Sequence, residues 1–133
     1  VLDGAHTSRS IELTLETFQK IARGNPHLLF ACAADKDVES IAAILSPAFS
    51  RITLTRPGDR KTSDLALADR AFRNHCGGEN GARLLVEEDY ARAIESSLDL
   101  SRETGIPLLV TGSFYLVAEV KKILSSRNRG RES

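Results

Sequence analysis

The residues best suited to chemistry lie in short polar segments that directly follow apolar runs. The first segment begins at Asp3 and places His6 three residues later, just before a helix-like pattern. A carboxylate accepts hydrogen bonds from ligand hydroxyls, and an imidazole titrates near neutral pH. A simpler interpretation is that Thr7 or Ser8 caps the helix and that Asp3 interacts with its dipole. The motif alone favours this structural role and leaves a ligand contact as the alternative.

Two further polar segments carry cations. Lys36 lies between two aspartates after the second apolar run, a pattern that also fits helix capping with a solvated charge. Arg56 precedes a Pro-Gly pair in a basic loop, and its guanidinium suits a phosphate or carboxylate group. Mixed-charge surface loops are also common. Lys36 and Arg56 are therefore candidate contacts to anionic groups.

The last polar segment is Thr111-Gly112-Ser113, ahead of the final apolar stripe. The glycine allows a close approach of the backbone to a ligand, and the Ser113 hydroxyl can donate to a carboxylate or phosphate. Capping of the next helix explains this serine as well. The chain lacks the glycine-flanked serine motif of hydrolases, which argues against nucleophilic catalysis.

Several site classes are excluded by motif and composition. The three histidines and two cysteines have no metal-ligand spacing, so no metal site is predicted. Neither GxGxxG nor GxxxxGK[ST] occurs, so the chain lacks a dinucleotide fingerprint and a loop that could cradle ATP phosphates. Eighteen basic residues balance 18 acidic ones, which argues against nucleic acid or a membrane surface as partner. Two cysteines and no secretory signal favour a reducing, cytoplasmic setting.

The 133 residues suffice for one domain. Short apolar runs alternate with amphipathic stretches, which predicts an α/β domain with a mostly parallel sheet of about five or six strands. We expect the domain to span residues 1–126, with a disordered polar tail over 127–133. The chain opens without Met on an apolar pair, which suggests a fragment of a longer protein. The predicted strands are Val1-Leu2, His27 to Ala31, Arg51 to Thr55, Ala82 to Val86 and Leu108 to Thr111.

Taken together, four motifs are similar to those of the C-terminal domain of folylpolyglutamate synthase and dihydrofolate synthase, in the Mur ligase superfamily. The likeness covers nearly the whole chain, and its first and last motifs are specific in combination. In order, the motifs are Val1-Leu2-Asp3-Gly4-Ala5-His6, Ala34-Asp35-Lys36-Asp37-Val38, Leu54-Thr55-Arg56-Pro57 and the segment from Val110 to Val120.

The resemblance implies a Rossmann-like, three-layer lobe of a ligase that joins glutamate to a folate or dihydropteroate carboxyl group through an acyl phosphate. It implies ATP and Mg²⁺ as cofactors, bound mainly by an N-terminal ATPase lobe of the same polypeptide. The site of such enzymes forms between lobes, so we expect the isolated domain to be inactive. We expect the enzyme to act as a monomer, with no nucleic-acid or membrane partner.

The resemblance also implies roles for individual residues. Asp3 would accept hydrogen bonds from the ATP ribose, and His6 would lie at the lobe interface, near the nucleotide and the incoming glutamate, as a catalytic residue. Ser113 would hold the glutamate carboxylate. Lys36 and Arg56 would contact anionic groups when the lobes close. The family follows its histidine with Asn-Pro where this chain has Thr7-Ser8, which can still cap and begin a helix.

Two other interpretations remain. A cell-wall Mur ligase would have the same fold and would add another amino acid to a nucleotide-linked peptide, although the first and last motifs favour the folate branch. A receiver-like signalling module is also a parallel α/β domain of this length. A receiver needs an aspartate at the end of its third strand, where this chain has Thr55-Arg56-Pro57.

Overall fold

The computed structural model describes residue 2 and residues 7–22, 24–32, 37–57, 64–76 and 83–132. Helices and strands alternate along these residues, which confirms the predicted α/β class. The helices are α1 (Ser8–Ile21), α2 (Val38–Leu45), α3 (Leu65–His75), α4 (Tyr90–Thr104) and α5 (Phe114–Glu132), with a short 3₁₀ turn at Ser46–Ala48. The strands are β1 (His27–Phe30), β2 (Arg51–Leu54), β3 (Arg83–Val86) and β4 (Leu108–Thr111).

The four strands form one parallel sheet in the order β3-β2-β1-β4. Each strand has four residues and the strands pair from their first residue to their last, so His27 lies beside both Arg51 and Leu108. All carboxyl ends of the strands therefore meet at one edge of the sheet. In open parallel sheets, this edge is where ligands bind.

The sheet lies between two helical layers, because alternate strand residues face opposite sides. On one side, α1, α2 and α3 pack over a core that includes Phe30 and Phe72, whose rings lie 5.0 Å apart. On the other side, α4 and α5 pack over a core that includes Leu29, Ile94 and Val110. This three-layer arrangement is the one that the family resemblance implies.

The strand count differs from the expectation, since the sheet has four strands in the described part of the chain where five or six are predicted. Leu2 adds a single parallel bridge to Val110. Helix α5 continues to Glu132, into the residues for which a polar tail is expected. One anchor of this extension is Arg127, whose guanidinium lies 3.0 Å from the Asp99 carboxylate of α4.

Helices α1 to α4 each begin at a side chain that caps backbone N–H groups of the first turn, and α5 is capped by Ser113. The Asp64 carboxylate accepts from the Leu67 N–H at 3.0 Å, for example, and starts α3. Since each helix after a strand starts at the carboxyl edge of the sheet, these N-termini bring backbone donors to that edge. The caps of α1 to α4 are Thr7, Asp37, Asp64 and Asp89. Within the described residues, no helix has the length and apolarity to cross a membrane.

Candidate functional site at the carboxyl edge of the sheet

The structure places two of the five candidate residues. Ser113 follows β4 and Arg56 follows β2, and both lie at the carboxyl edge of the sheet. Asp3, His6 and Lys36 lie outside the described residues. The geometry of the site is therefore that of the loops after β2 and β4, on either side of the central strand β1.

Gly112 shapes the turn after β4. Its φ of +105° lies in the region that favours glycine, and a Cβ there would lie 2.2 Å from the Ala31 carbonyl oxygen and 2.7 Å from the Phe30 ring. From the sequence, a glycine at this position predicts a close approach of the backbone to a ligand. The close neighbour is instead the end of β1, so Gly112 joins two adjacent loops of the protein.

Ser113 is buried and caps α5. Its Oγ accepts a hydrogen bond from the Tyr115 N–H at 3.1 Å, and its carbonyl accepts from the Val117 N–H at 3.2 Å. A serine hydroxyl has one proton to donate and two lone pairs, so the cap leaves the proton available to a second acceptor. The capping and ligand interpretations of Ser113 are therefore compatible, and the structure shows the cap.

Two aromatic residues follow Ser113 in the first turn of α5. Phe114 is 66% exposed and Tyr115 is 44% exposed, although residues 116 and 117 of the same turn are buried. A helical apolar stripe that begins at Phe114 predicts burial of this side chain. The structure instead places an exposed aromatic pair beside the buried serine at the carboxyl edge of the sheet.

The loop after β2 has a different character. Arg56 is exposed and lines a surface cleft of about 460 Å³ together with Glu88 and Tyr90. Just before it, Thr55 is 3% exposed, and its backbone N–H donates to the Phe30 carbonyl at 3.0 Å. The Thr55 Oγ1 is buried and has no hydrogen-bond partner among the described residues. This end of the edge thus combines an accessible cation with an unsatisfied hydroxyl.

Two of the polar segments cap a helix, as their structural interpretation predicts. Thr7 caps α1 through a reciprocal pair of hydrogen bonds with Ser10. Asp37 caps α2 by accepting from the Ser40 N–H at 3.2 Å and the Ser40 hydroxyl at 2.7 Å. These bonds favour the charged carboxylate and hold the pKa of Asp37 below its usual range. Each cap directly follows a candidate residue in the sequence, His6 and Lys36, and these two lie outside the residues that the structure describes.

The described residues of this edge are suited to binding anionic groups. The buried hydroxyl of Ser113 can donate to an anionic group, and the N-terminus of α5 adds the positive end of a helix dipole. Arg56 offers a guanidinium to a second one. Among the described residues, no group of three histidines, cysteines or carboxylates is placed to hold a metal ion.

Comparison with known proteins shows the family and the fold. The model of the Mur ligase, glutamate ligase domain matches residues 1–114. A folylpolyglutamate synthase from Thermotoga maritima is 24% identical, with a TM-score of 0.74 over 92% of this chain and 27% of that chain. One from Mycobacterium tuberculosis, complexed with ADP and AMPPCP, is 22% identical, with a TM-score of 0.73 over 92% and 28%.

A third similar structure is the bifunctional folylpolyglutamate synthase/dihydrofolate synthase of Yersinia pestis complexed with AMPPNP and Mn ion. It is 20% identical, with a TM-score of 0.68 over 93% of this chain and 28% of that chain. This chain thus spans less than a third of the length of these proteins. No curated protein matches the sequence. The family match extends from the first residue to the start of α5 on a fold that these structures share, and the chain belongs to the Mur ligase, glutamate ligase domain family.

Proposed function

We propose that this chain is the C-terminal lobe of an ATP-dependent ligase that adds glutamate to a folate or dihydropteroate. In this reaction the pterin substrate's carboxylate attacks the γ-phosphorus of ATP, which releases ADP and leaves an acyl phosphate. The glutamate amine then attacks the acyl carbon, loses a proton and displaces phosphate. The observation that carries the proposal is the match of a glutamate ligase domain family to residues 1–114 on a fold shared with folylpolyglutamate synthases.

The similar structures support this choice of branch. Among them are an E. coli FolC in complex with DHPP and ADP and the M. tuberculosis folylpolyglutamate synthase with ADP and AMPPCP. This chain covers 28% of each of these two proteins, so each is more than three times as long as this chain. Since the sequence has no loop for ATP phosphates, we assign these phosphates and Mg²⁺ mainly to an N-terminal lobe of the full-length protein.

The geometry around Ser113 supports a role in glutamate binding. Its hydroxyl is held in place by the bond from the Tyr115 N–H, and its proton can be donated to a carboxylate. The start of α5 adds backbone donors and the positive end of a helix dipole. A glutamate carboxylate placed there is bound in a definite orientation, which would position its amine for attack on the acyl phosphate.

The exposed aromatic pair supports closure of a second lobe over this edge. Phe114 and Tyr115 present apolar surface directly beside Ser113, at 66% and 44% exposure. Large exposed apolar side chains that cluster near a binding site are commonly covered by a partner surface. We propose that the N-terminal lobe covers them when the glutamate site is complete.

The remaining roles are proposed from the motifs that this sequence shares with the family. Asp3 is assigned to the ATP ribose hydroxyls, and His6 is assigned to the lobe interface, near the nucleotide and the incoming glutamate. Lys36 and Arg56 are assigned to anionic groups of the substrates on closure, with Arg56 supported by its position on the cleft after β2.

The test is the activity of the full-length protein. We expect release of ADP that requires both L-glutamate and a folate or dihydropteroate, and no release by the 133-residue chain alone. Release of ADP that instead requires a nucleotide-linked peptide and another amino acid would place the protein on the cell-wall branch. Substrate-dependent release by the 133-residue chain alone would contradict the assignment of catalysis to two lobes.

A further inference from the structure

Three of the four strands begin with a basic residue, at the edge of the sheet opposite the candidate site. His27 begins β1, Arg51 begins β2 and Arg83 begins β3. The register pairs His27 with Arg51 and Arg51 with Arg83 across neighbouring strands. Neighbouring strands are about 4.8 Å apart, so the three residues form a continuous row, which we call the amino-edge cation row.

All three side chains share one face of the sheet. The next residues along the strands, Leu28 and Ile52, belong to the core beneath α1, α2 and α3. Successive side chains of a strand point to opposite faces of the sheet, so His27 and Arg51 face α4 and α5. Leu108, the fourth residue of this register row, lies in the core on that side and confirms the orientation.

The row has no acidic counterpart in the described part of the chain. Neither Arg51 nor Arg83 forms an ion pair with any carboxylate there. Like charges on directly neighbouring strands repel, so the row destabilises the sheet unless an anion is present. Burial and the nearby Arg51 charge together lower the pKa of His27, as expected for a cation that lacks an acidic partner.

The helix that covers this face leaves its acids in solvent. Along α4 towards the amino edge, the half-buried side chains carry no charge; they are Ser97, Leu98, Leu100 and Ser101. The charged residues of this part of α4 are exposed, and one of them, Asp99, is paired with Arg127 of α5. The charged residues are Glu95, Asp99, Arg102 and Glu103.

We propose that the amino-edge cation row binds a tetrahedral dianion of the phosphate and sulfate class. Adjacent guanidinium groups and an imidazolium can each donate to a different oxygen of one such ion. Four-residue strands rise about 3.3 Å per residue, so the row lies roughly 10 Å from the carboxyl edge. The anion site is therefore separate from the glutamate and nucleotide contacts and does not depend on them.

The test uses sulfate as the probe, because its charge does not change between about pH 5 and 8, where histidine titrates. Equilibrium dialysis of the full-length protein at constant ionic strength, with chloride as the replacing salt, measures sulfate affinity. Arg51→Gln is expected to weaken sulfate binding about tenfold, as expected for loss of a charge-assisted contact. Arg102→Gln, which removes an exposed cation on α4, is the matched control and should leave the affinity unchanged.

The pH dependence of the sulfate affinity tests whether His27 takes part in the amino-edge cation row. Sulfate should bind more tightly as the pH falls through the lowered pKa of His27, because the imidazolium adds a donor and a charge. His27→Gln should remove this dependence and leave the affinity at its high-pH value. Arg83→Gln provides a second arginine variant if Arg51→Gln does not fold.

Equal sulfate affinity in the wild-type and arginine variants would overturn the proposal. So would an equal loss in Arg102→Gln, because the effect would then be a general one of net charge. Failure of ligase activity in the same preparation has no bearing on this result, since the two sites lie at opposite edges of the sheet.

Discussion

The ends of β4 and β2 lie at the same edge of the sheet but are built in opposite ways. After β4, Gly112 packs against the end of β1 and Ser113 is buried with its hydroxyl bound to the helix it starts. After β2, Arg56 is exposed on a cleft, and the buried Thr55 hydroxyl next to it has no partner within the part of the chain that the structure describes. The first loop presents a buried hydroxyl held by its contacts, whereas the second presents an exposed charge on a long side chain.

This difference separates two ways of making a binding site. A donor held in place before the ligand arrives costs little further ordering on binding, which favours orientation and selectivity. An exposed guanidinium on a long side chain must be ordered on binding and is screened by salt, so it contributes little on its own. Substitutions in the β4 loop should therefore have larger and more specific effects than those in the β2 loop.

The largest effect is expected for Gly112→Ala. The new Cβ would be 2.2 Å from a backbone oxygen of Ala31, in a conformation of φ +105°, so either β1 or the turn must move. We expect a loss of about 2 to 4 kcal/mol in the free energy of unfolding. Urea denaturation followed by circular dichroism measures this loss.

Gly105→Ala is the matched control for backbone strain. Gly105 also has a positive φ, of +72°, at the end of α4, but no atom lies within 4 Å of a Cβ there. We expect that variant to lose only about 1 kcal/mol. Equal losses in the two variants would show that the close approach to β1 contributes nothing.

The second effect concerns the Ser113 hydroxyl. Ser113→Ala should lose about 1 kcal/mol of stability with the cap and should also raise the KM for glutamate. Ser113→Asp retains a good cap but sets a negative charge against the glutamate carboxylate, so we expect the KM to rise on the order of a hundredfold. Steady-state kinetics of the full-length protein, with thermal melts, measure both quantities.

Asp64→Ala controls for the loss of a helix cap. Asp64 caps α3 through its bond from the Leu67 N–H, so its removal should lower stability by a similar amount without changing the KM for glutamate. If Ser113→Asp kept a normal KM for glutamate, Ser113 would be a cap alone.

The smallest effect is expected for Arg56→Gln. Its exposed charge should contribute at most about 1 kcal/mol, which is a few-fold rise in the KM for an anionic substrate at low salt. The rise should disappear at high salt because the charge is screened. The free energy of unfolding should change by no more than about 0.5 kcal/mol. Lys121→Gln, on the exposed side of α5, is the control and should leave the KM for the anionic substrate unchanged. An equal rise of this KM in Lys121→Gln would contradict a local role for Arg56.

Much of the fold follows from local patterns in the sequence. The start of α5 at Ser113 can be predicted because a residue able to cap a helix precedes an apolar helical stripe, and the sequence has the same pattern at Asp64 before α3. The number of strands could not be predicted in this way, because the backbone partners of a short apolar pair such as the one at Leu2 depend on the rest of the sheet. The ligand assignments of the five candidate residues remain predictions.

Contacts between distant segments could not be predicted in this way. The sequence indicates that Gly112 needs special backbone freedom, but its neighbour, Ala31, comes from a strand far away along the chain. The amino-edge cation row was missed for the same reason, since His27 and Arg51 become neighbours only through the strand register. A basic residue at the start of three strands is the one local signal that could have revealed it.

The strand order also has a consequence for how the domain is made. β1 lies between β2 and β4, yet β4 is synthesised only after α2, β2, α3, β3 and α4. Until then one long edge of β1 has no strand to pair with, and closing the intervening chain carries an entropic cost. We expect β1 and β2 to associate early and β4 to dock late, so the turn that carries Ser113 acquires its surroundings in one of the last steps of folding.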